Sequence, residues 1–131
     1  MKKLTLTFLI IILTLTSNFA RSADFDKGYD AYVIGDYVTA LREWRPLAEQ
    51  GDSDAQHNLG YIYDMGLGVP EDNKNAIKWY TLAAEQGDSD AQNNLGLMYL
   101  NADGITQDYK TALKWLKLAA EQDDYDAQVS L

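Results

Sequence analysis

Apolar residues recur along the chain at intervals of three and four, the spacing of one face of an α-helix. Ala55, Leu59 and Tyr63 stand four residues apart, and a second stripe with spacings of three and four runs from Ala76 to Ala83. The segment DMGLGVPED between the stripes holds two glycines and a proline, which favour turns and end helices. The pattern predicts two helices joined by a glycine-rich loop, that is, a helical hairpin.

The hairpin pattern repeats with a period of 36 residues. Residues 55–90 align without a gap with residues 91–126, and 19 positions are identical. A fixed period of this length marks a repeat architecture in which each unit is one supersecondary element and units stack on their neighbours. Gly60 lies inside a predicted first helix, where glycine is unfavourable. We therefore predict a close approach of the second helix there, at the small residue Ala76.

The units at the two ends differ from the regular ones. The first, residues 24–54, lacks four residues of the loop and turns directly at Gly35 and Asp36. Its Trp44 also falls one place later than Trp79 does in the second unit. Residues 127–131 are only the start of a further unit. Terminal units of a stack are commonly atypical, because one of their faces has no neighbour.

Successive units are separated by a repeated phrase. AEQGDSDAQ occupies residues 48–56 and again 84–92, and the altered form AEQDDYDAQ occupies 120–128. Gly51 is placed to end a helix in a left-handed conformation, and Ser53 with Gln56 forms the S-x-x-Q pattern of a capping box. The phrase therefore predicts a helix end, a tight turn and a helix start. In the altered copy the turn glycine and the capping serine are Asp123 and Tyr125, so we expect a weaker joint.

The N-terminus and the charge limit where the protein works and what it binds. Residues 1–23 combine two lysines, a short apolar run and a small-residue patch, which predicts an export signal cleaved between positions 20 and 23; an uncleaved membrane anchor is the alternative. Beyond this leader lie eight basic and all 20 acidic residues, a formal charge of −12. Such a charge argues against nucleic acid and anionic membranes as partners. The chain has no cysteine, so its stability depends on packing alone.

The pattern A-x-x-x-L-G-x-x-Y-x-x-G-x-G-V-x-x-D-x-x-x-A-x-x-W-x-x-x-A-A-x-x-G resembles the Sel-1-like repeat, a helical-hairpin unit related to the tetratricopeptide repeat. Residues 55–87 match it at every lettered position, and residues 91–123 depart from it at Ala102, Ile105 and Asp123. The first unit is more similar to a plain tetratricopeptide unit. The resemblance implies an all-α fold, an α/α superhelical solenoid of about three helical hairpins after the signal peptide.

The resemblance also implies a class of function. It indicates a non-enzymatic scaffold for protein–protein interaction in the bacterial cell envelope, periplasmic or secreted. One alternative is a cell-wall or β-lactam hydrolase related to a cysteine-rich branch of the family, which the lack of cysteine disfavours. Another is a truncated paralogue without a dedicated partner.

The sequence offers little for catalysis or metal binding. His57 is the only histidine and has no neighbours at metal-ligand spacing, whereas zinc needs three or four ligands. The acidic run at residues 123–126 lacks the glycine and the glutamate of a calcium loop, so capping explains it better. We therefore predict no catalytic residue, no cofactor and no metal.

A binding groove is the remaining candidate site. In solenoids of this kind the first helix of each unit lines the concave face, and its residues outside the packing stripe can meet a partner. The alternative is that several of them pack against the neighbouring unit. We expect a protein or peptide partner, and neither nucleic acid nor, after signal cleavage, a membrane. The candidate groove residues are Phe25, Tyr29, Tyr32, His57, Tyr61, Asp64, Asn93, Leu97 and Leu100.

Overall fold

The computed structural model describes residues 25–102 and 105–129, and the predicted export signal, residues 1–23, lies outside them. The described residues form six α-helices and no strand, which confirms the all-α prediction. None of these helices is long and apolar enough to cross a membrane. The helices are α1 (25–33), α2 (Tyr37–Glu49), α3 (Ser53–Met65), α4 (Asn73–Glu85), α5 (Ser89–Asn101) and α6 (Tyr109–Val129).

The helices stack in chain order. From α2 onward each helix packs against the next, and α3 also contacts α5. The three hairpins α1–α2, α3–α4 and α5–α6 thus follow one another as an α/α solenoid. Alanines on the facing surfaces, such as Ala40, Ala55 and Ala76, are fully buried and allow the helices to approach closely. All three tryptophans are buried, as the apolar stripes predict.

Each first helix meets its second helix at a glycine. A Cβ added to Gly60 would lie 2.5 Å from Cδ1 of Tyr80, and one added to Gly28 would lie 2.5 Å from Nε1 of Trp44. The predicted close approach of α4 is therefore present, and the atoms nearest to Gly60 are those of the Tyr80 ring, one turn after the buried Ala76. Trp44 takes the place in the first unit that Tyr80 takes in the second. This equivalence explains why Trp44 falls one residue later than Trp79.

The loops inside the hairpins use left-handed backbone. Gly66 and Gly68 have φ of 63° and 67°, which confirms their predicted role, and Asp72 then caps α4 by accepting from the amide of Asn75 at 3.1 Å. In the third unit Ala102 occupies the place of Gly66 with φ of 60°. A left-handed conformation costs a residue with a Cβ about 1–2 kcal/mol, so this loop is the more strained copy.

The joint between units is a helix end and a helix start that share one residue. Gly51 is left-handed, with φ of 99°. Its amide donates to the carbonyl of Ala48, and the amide of Asp52 donates to the carbonyl of Leu47. This pair of hydrogen bonds is the pattern of a Schellman motif. The side chain of Asp52 then accepts from the amide of Ala55 at 2.9 Å. Asp52 is therefore the cap of α3, and the predicted capping by Ser53 is wrong by one residue.

The glutamine of the phrase connects units and does not complete a capping box. Nε2 of Gln56 donates to the carbonyl of Ala48 at 3.0 Å, at the end of the preceding helix. Nε2 of Gln86, at the end of α4 in the same unit, donates to Oε1 of Gln56 at 2.7 Å and to the carbonyl of Gly51 at 3.0 Å. The same contact recurs between Gln122 and Gln92 at 2.9 Å. We call this set of hydrogen bonds the glutamine ladder.

The altered third phrase forms no joint. Helix α6 continues through Asp123 to Val129, whereas α4 ends at Glu85. Aspartate has a Cβ, so the left-handed conformation that glycine adopts freely in the other joints is costly at position 123, and the helix continues. The sequence predicted a weakened turn, and the structure has helix in its place. Gln122 still contributes to the glutamine ladder.

The assignment of the cap can be tested by replacing the two neighbouring residues separately. Asp52→Ala is expected to lower the free energy of unfolding by about 1 kcal/mol, because an amide at the start of α3 loses its acceptor. Ser53→Ala is expected to change it by less than about 0.5 kcal/mol, since alanine favours a helix. Urea unfolding followed by circular dichroism measures both. A larger loss of unfolding free energy for Ser53→Ala than for Asp52→Ala would show that Ser53 is the capping residue.

The glutamine ladder can be tested by a double-mutant cycle. Gln56→Ala and Gln86→Ala are each expected to cost about 1–3 kcal/mol, because each leaves polar groups without their partners. The double variant should cost less than the sum of the two, by about 0.5–1.5 kcal/mol. Pairing Gln56→Ala with Glu85→Ala, an exposed neighbour of Gln86, provides the control and should be additive. Additive losses for Gln56 and Gln86 would contradict a direct contact.

Candidate functional site

Four of the predicted groove residues converge on one pocket between α1 and α3. Tyr29 and Tyr32 come from α1, and His57 and Tyr61 come from α3. Positions 29 and 32, like 57 and 61, are one helical turn apart, so each pair projects from one side of its helix. The pocket has a volume of about 220 Å³, and Trp44 and Asn58 complete its lining.

The pocket has a buried floor and an exposed rim. The indole of Trp44 is 1% exposed and is held by a hydrogen bond from its Nε1 to the carbonyl of Phe25 at 3.1 Å. The ring of Tyr32 lies 5.8 Å from that of Trp44. Tyr29 and Tyr61 are 54% and 37% exposed and form the rim. Exposed rings above a fixed aromatic floor present apolar surface that a partner can cover.

The phenol groups in the pocket interact with one another. The phenol of Tyr32 lies near that of Tyr61, and the ring of Tyr32 also meets the ring of Tyr37 edge-on at 5.7 Å. Burial, followed by the neighbouring phenols of Tyr61 and Tyr37, raises the pKa of Tyr32 above its ordinary value. Tyr32 therefore stays neutral at physiological pH and offers a phenol group and a ring face.

Two other predicted residues are engaged in packing next to the pocket. Phe25 is partly buried, and its ring lies 6.0 Å from that of Trp44, so it supports the floor. Asp64 accepts a hydrogen bond from the hydroxyl of Tyr80 at 3.4 Å. Burial, and then the Asp64 carboxylate, raises the pKa of Tyr80. Neither Phe25 nor Asp64 lines the pocket.

The three predicted residues of α5 lie on a separate part of the surface. Asn93, Leu97 and Leu100 are exposed, and none of them lines the pocket. Asn93 and Leu97 stand one period after His57 and Tyr61. The third unit thus carries an amide and an aliphatic side chain where the second carries two rings.

The sequence missed two lining residues, Trp44 and Asn58. Trp44 is both a core residue and the floor of the pocket. The sequence feature that pointed to this position was the one-residue shift of Trp44 relative to Trp79. This shift places Trp44 under Gly28 and next to the rings of α1. Asn58 gave no signal, since it is a polar residue on a helix with many such residues. Among the described residues no group of three or more His, Cys, Asp or Glu side chains could hold a metal ion.

Stacked helical hairpins with an aromatic pocket between the first helices define a helical-repeat scaffold. The chain belongs to the Sel1 repeat family, whose model matches residues 53–88 and 89–124. These two segments cover more than half of the sequence and confirm the resemblance. Proteins of this family are typically non-enzymatic scaffolds that mediate protein–protein interaction.

Relatives share both the sequence and the fold. Protein sel-1 homolog 2 of Mus musculus is 39% identical in an alignment of 75 residues that covers 53% of this chain and 11% of that protein. A solved protective antigen of uropathogenic Escherichia coli strains, with an SLR fold, is 37% identical with a TM-score of 0.73 over 84% of this chain. A Sel1 repeat protein of Oxalobacter formigenes is 38% identical with a TM-score of 0.72 over 81%. This chain spans 25% and 44% of those two structures.

The contact between Gly28 and Trp44 links the fold to the pocket. Gly28→Ala is expected to displace the indole, because the new Cβ would lie 2.5 Å from Nε1 of Trp44. We expect a loss of about 1–3 kcal/mol in unfolding free energy, the usual cost of overpacking, and a shifted indole N–H resonance of Trp44 in NMR spectra. Gly96→Ala, which meets Leu116 in the third unit, is the control and should leave that resonance in place. An unchanged Trp44 resonance in Gly28→Ala would contradict the contact.

Proposed function

We propose that this chain is an exported, non-enzymatic scaffold that binds a protein or peptide in the bacterial cell envelope through the pocket between α1 and α3. The observation that carries the proposal is the position of Tyr29 and Tyr61, two exposed rings at the rim of a pocket floored by buried Trp44. Tyrosine and tryptophan are enriched among the residues that contribute most to binding energy.

The pocket is an anchor site within a larger contact. A stable protein interface covers about 800 Å² of each partner, far more than one side chain in this pocket would bury. Because α3 contacts α5, the surface formed by the first helices extends beyond the pocket. Leu97 and Leu100 are 40% and 36% exposed on α5 and add apolar area for a longer segment. A peptide anchored at the pocket and lying across α3 and α5 fits this arrangement.

The envelope location rests on the leader and on one relative. Residues 1–23 have the composition of an export signal, with Lys2 and Lys3 ahead of a short apolar run. The similar structure from uropathogenic Escherichia coli is described as a protective antigen. An antigen that protects is one that the host encounters, which supports an exported location for this chain as well.

Site-specific photo-crosslinking in the native bacterium tests the proposal. A photoreactive phenylalanine at position 29 or 61 is expected to give discrete adducts with one partner protein, identified by mass spectrometry. The control carries the same group at Leu113, which is 67% exposed on α6, and should give none of these adducts. The adducts should be recovered from the periplasmic or secreted fraction, on a chain that begins after residue 20–23.

Two results would contradict the proposal. Adducts that are the same from position 113 as from positions 29 and 61 would show that the pocket selects nothing. Recovery of the chain only from the cytoplasm, with its leader intact, would refute the envelope location.

A further inference from the structure

We propose that the pocket between α1 and α3 is an aromatic cage that takes the guanidinium of an arginine side chain, carried by a basic segment of the partner. The inference rests on the proposed function and adds the chemistry of the partner. The faces of aromatic rings carry negative electrostatic potential, so a cation placed over several rings is attracted to all of them. The lining combines Tyr29, Tyr32, Tyr61 and Trp44 with two further residues, His57 and Asn58, and includes neither lysine nor arginine.

The chain already uses this interaction elsewhere with its own lysines. Nζ of Lys78 lies 4.5 Å from the ring centroid of Trp79, and Nζ of Lys114 lies 4.5 Å from that of Trp115. The residue before Trp44 is Glu43, and this carboxylate is paired with Lys27 at 3.0 Å. The lining of the pocket, by contrast, contains no lysine and no arginine, so its rings have no such cation from the chain itself among the residues that form it.

The basic residues lie almost entirely on the second helices, which carry acidic residues as well, whereas the first helices are mainly acidic. Of the eight basic residues beyond the leader, seven lie on the second helix of a unit: Arg42, Arg45, Lys74, Lys78, Lys110, Lys114 and Lys117. The exception is Lys27 on α1, which is engaged with Glu43. The described first helices carry five acidic residues: Asp26, Asp30, Asp54, Asp64 and Asp90. The helices that form the pocket thus attract a basic segment and repel an acidic one.

The shape and the polar groups of the pocket favour arginine over lysine. A planar guanidinium can stack on a ring and still direct its N–H groups sideways to acceptors, whereas an ammonium is a compact and strongly hydrated charge. The acceptors available here are the phenol oxygens of Tyr32 and Tyr61 and the side-chain amide of Asn58. A pocket of about 220 Å³ is large enough for a guanidinium and too small for a folded element.

Short peptides separate the charge of the guanidinium from its shape. The probe is an acetylated, amidated Gly-Ser-Arg-Ser-Gly peptide, titrated into the full mature chain and followed by the indole and tyrosine resonances in NMR spectra. The matched peptide carries citrulline, which keeps the planar group and its size but has no charge. We expect the arginine peptide to bind at least about 5-fold more tightly than the citrulline peptide, with shifts confined to Trp44 and the pocket tyrosines. Lysine in the same peptide is expected to bind between the two.

Matched variants locate the binding. Tyr61→Leu introduces the residue that the third unit has at position 97 and removes a ring, so it should weaken arginine binding by roughly 3- to 30-fold. Tyr61→Phe keeps the ring face and removes one of the phenol acceptors, so it should weaken binding less than Tyr61→Leu does. Tyr109→Leu removes a tyrosine that is 63% exposed on α6 and should have no effect. Circular dichroism melting of each variant confirms that the fold is retained.

The outcomes separate the two proposals. Equal affinity for arginine and citrulline peptides, or equal losses from Tyr61→Leu and Tyr109→Leu, would overturn the cage. Tighter binding of tetramethylammonium than of the arginine peptide would also overturn it, because the cage would then serve a small quaternary cation. If photo-crosslinking at positions 29 and 61 still captures a partner in any of these cases, the scaffold function stands without the cage. Arginine binding without any crosslinked partner would support the aromatic cage and contradict the proposed scaffold function.

Discussion

The joint between units is the constraint on which the rest of the structure depends. A helical hairpin buries only one of its faces by itself, so each unit needs a defined position on the next. Asp52 ends one helix and starts another, and Gln56 ties the new helix to the carbonyl of Ala48. The glutamine ladder then connects that joint to the following one through Gln86. Gln56 is 4% exposed and its hydrogen bond to Ala48 is buried, so leaving that bond unmade is costly.

The position of the pocket depends on which side chain of the second helix packs against the glycine of the first helix in each unit. The place under Gly28 holds Trp44, the place under Gly60 holds Tyr80, and the place under Gly96 holds Leu116. The largest ring therefore lies at the first unit, where the rings of Tyr29, Tyr32 and Tyr61 surround it. Tyr80 in the second unit is buried and its hydroxyl donates to Asp64. One repeated backbone thus carries an aromatic pocket at one unit and an aliphatic surface at another.

The sequence predicted the helices, the loops and four of the six residues that line the pocket, because these depend on spacing along one or two helices. It misplaced the cap because Asp52 and Ser53 are adjacent and both are good capping residues, and only the three-dimensional path of the chain decides between them. It assigned Gln56 to a local bond because its partners, Ala48 and Gln86, lie 8 and 30 residues away. Trp44, the floor of the pocket, was missed because it is distant in sequence from the other lining residues: the pocket joins residues from three helices.

The acidity of the groove side and the folding of the units have a common origin. The joints require Asp52 and Asp88 as caps, and Asp54 and Asp90 lie in the first turns of α3 and α5, where the helix dipole favours negative charge. The carboxylates that stabilise the first helices are therefore also the ones that make the surface around the pocket negative. Such a field acts over about 10 Å at 0.1 M salt and speeds the approach of a basic segment, whereas ring contacts act only within the pocket. In the binding mode that we propose, the repeat places long-range attraction and short-range selection on the same helices, and a partner that is basic but lacks the anchoring side chain gains only the first.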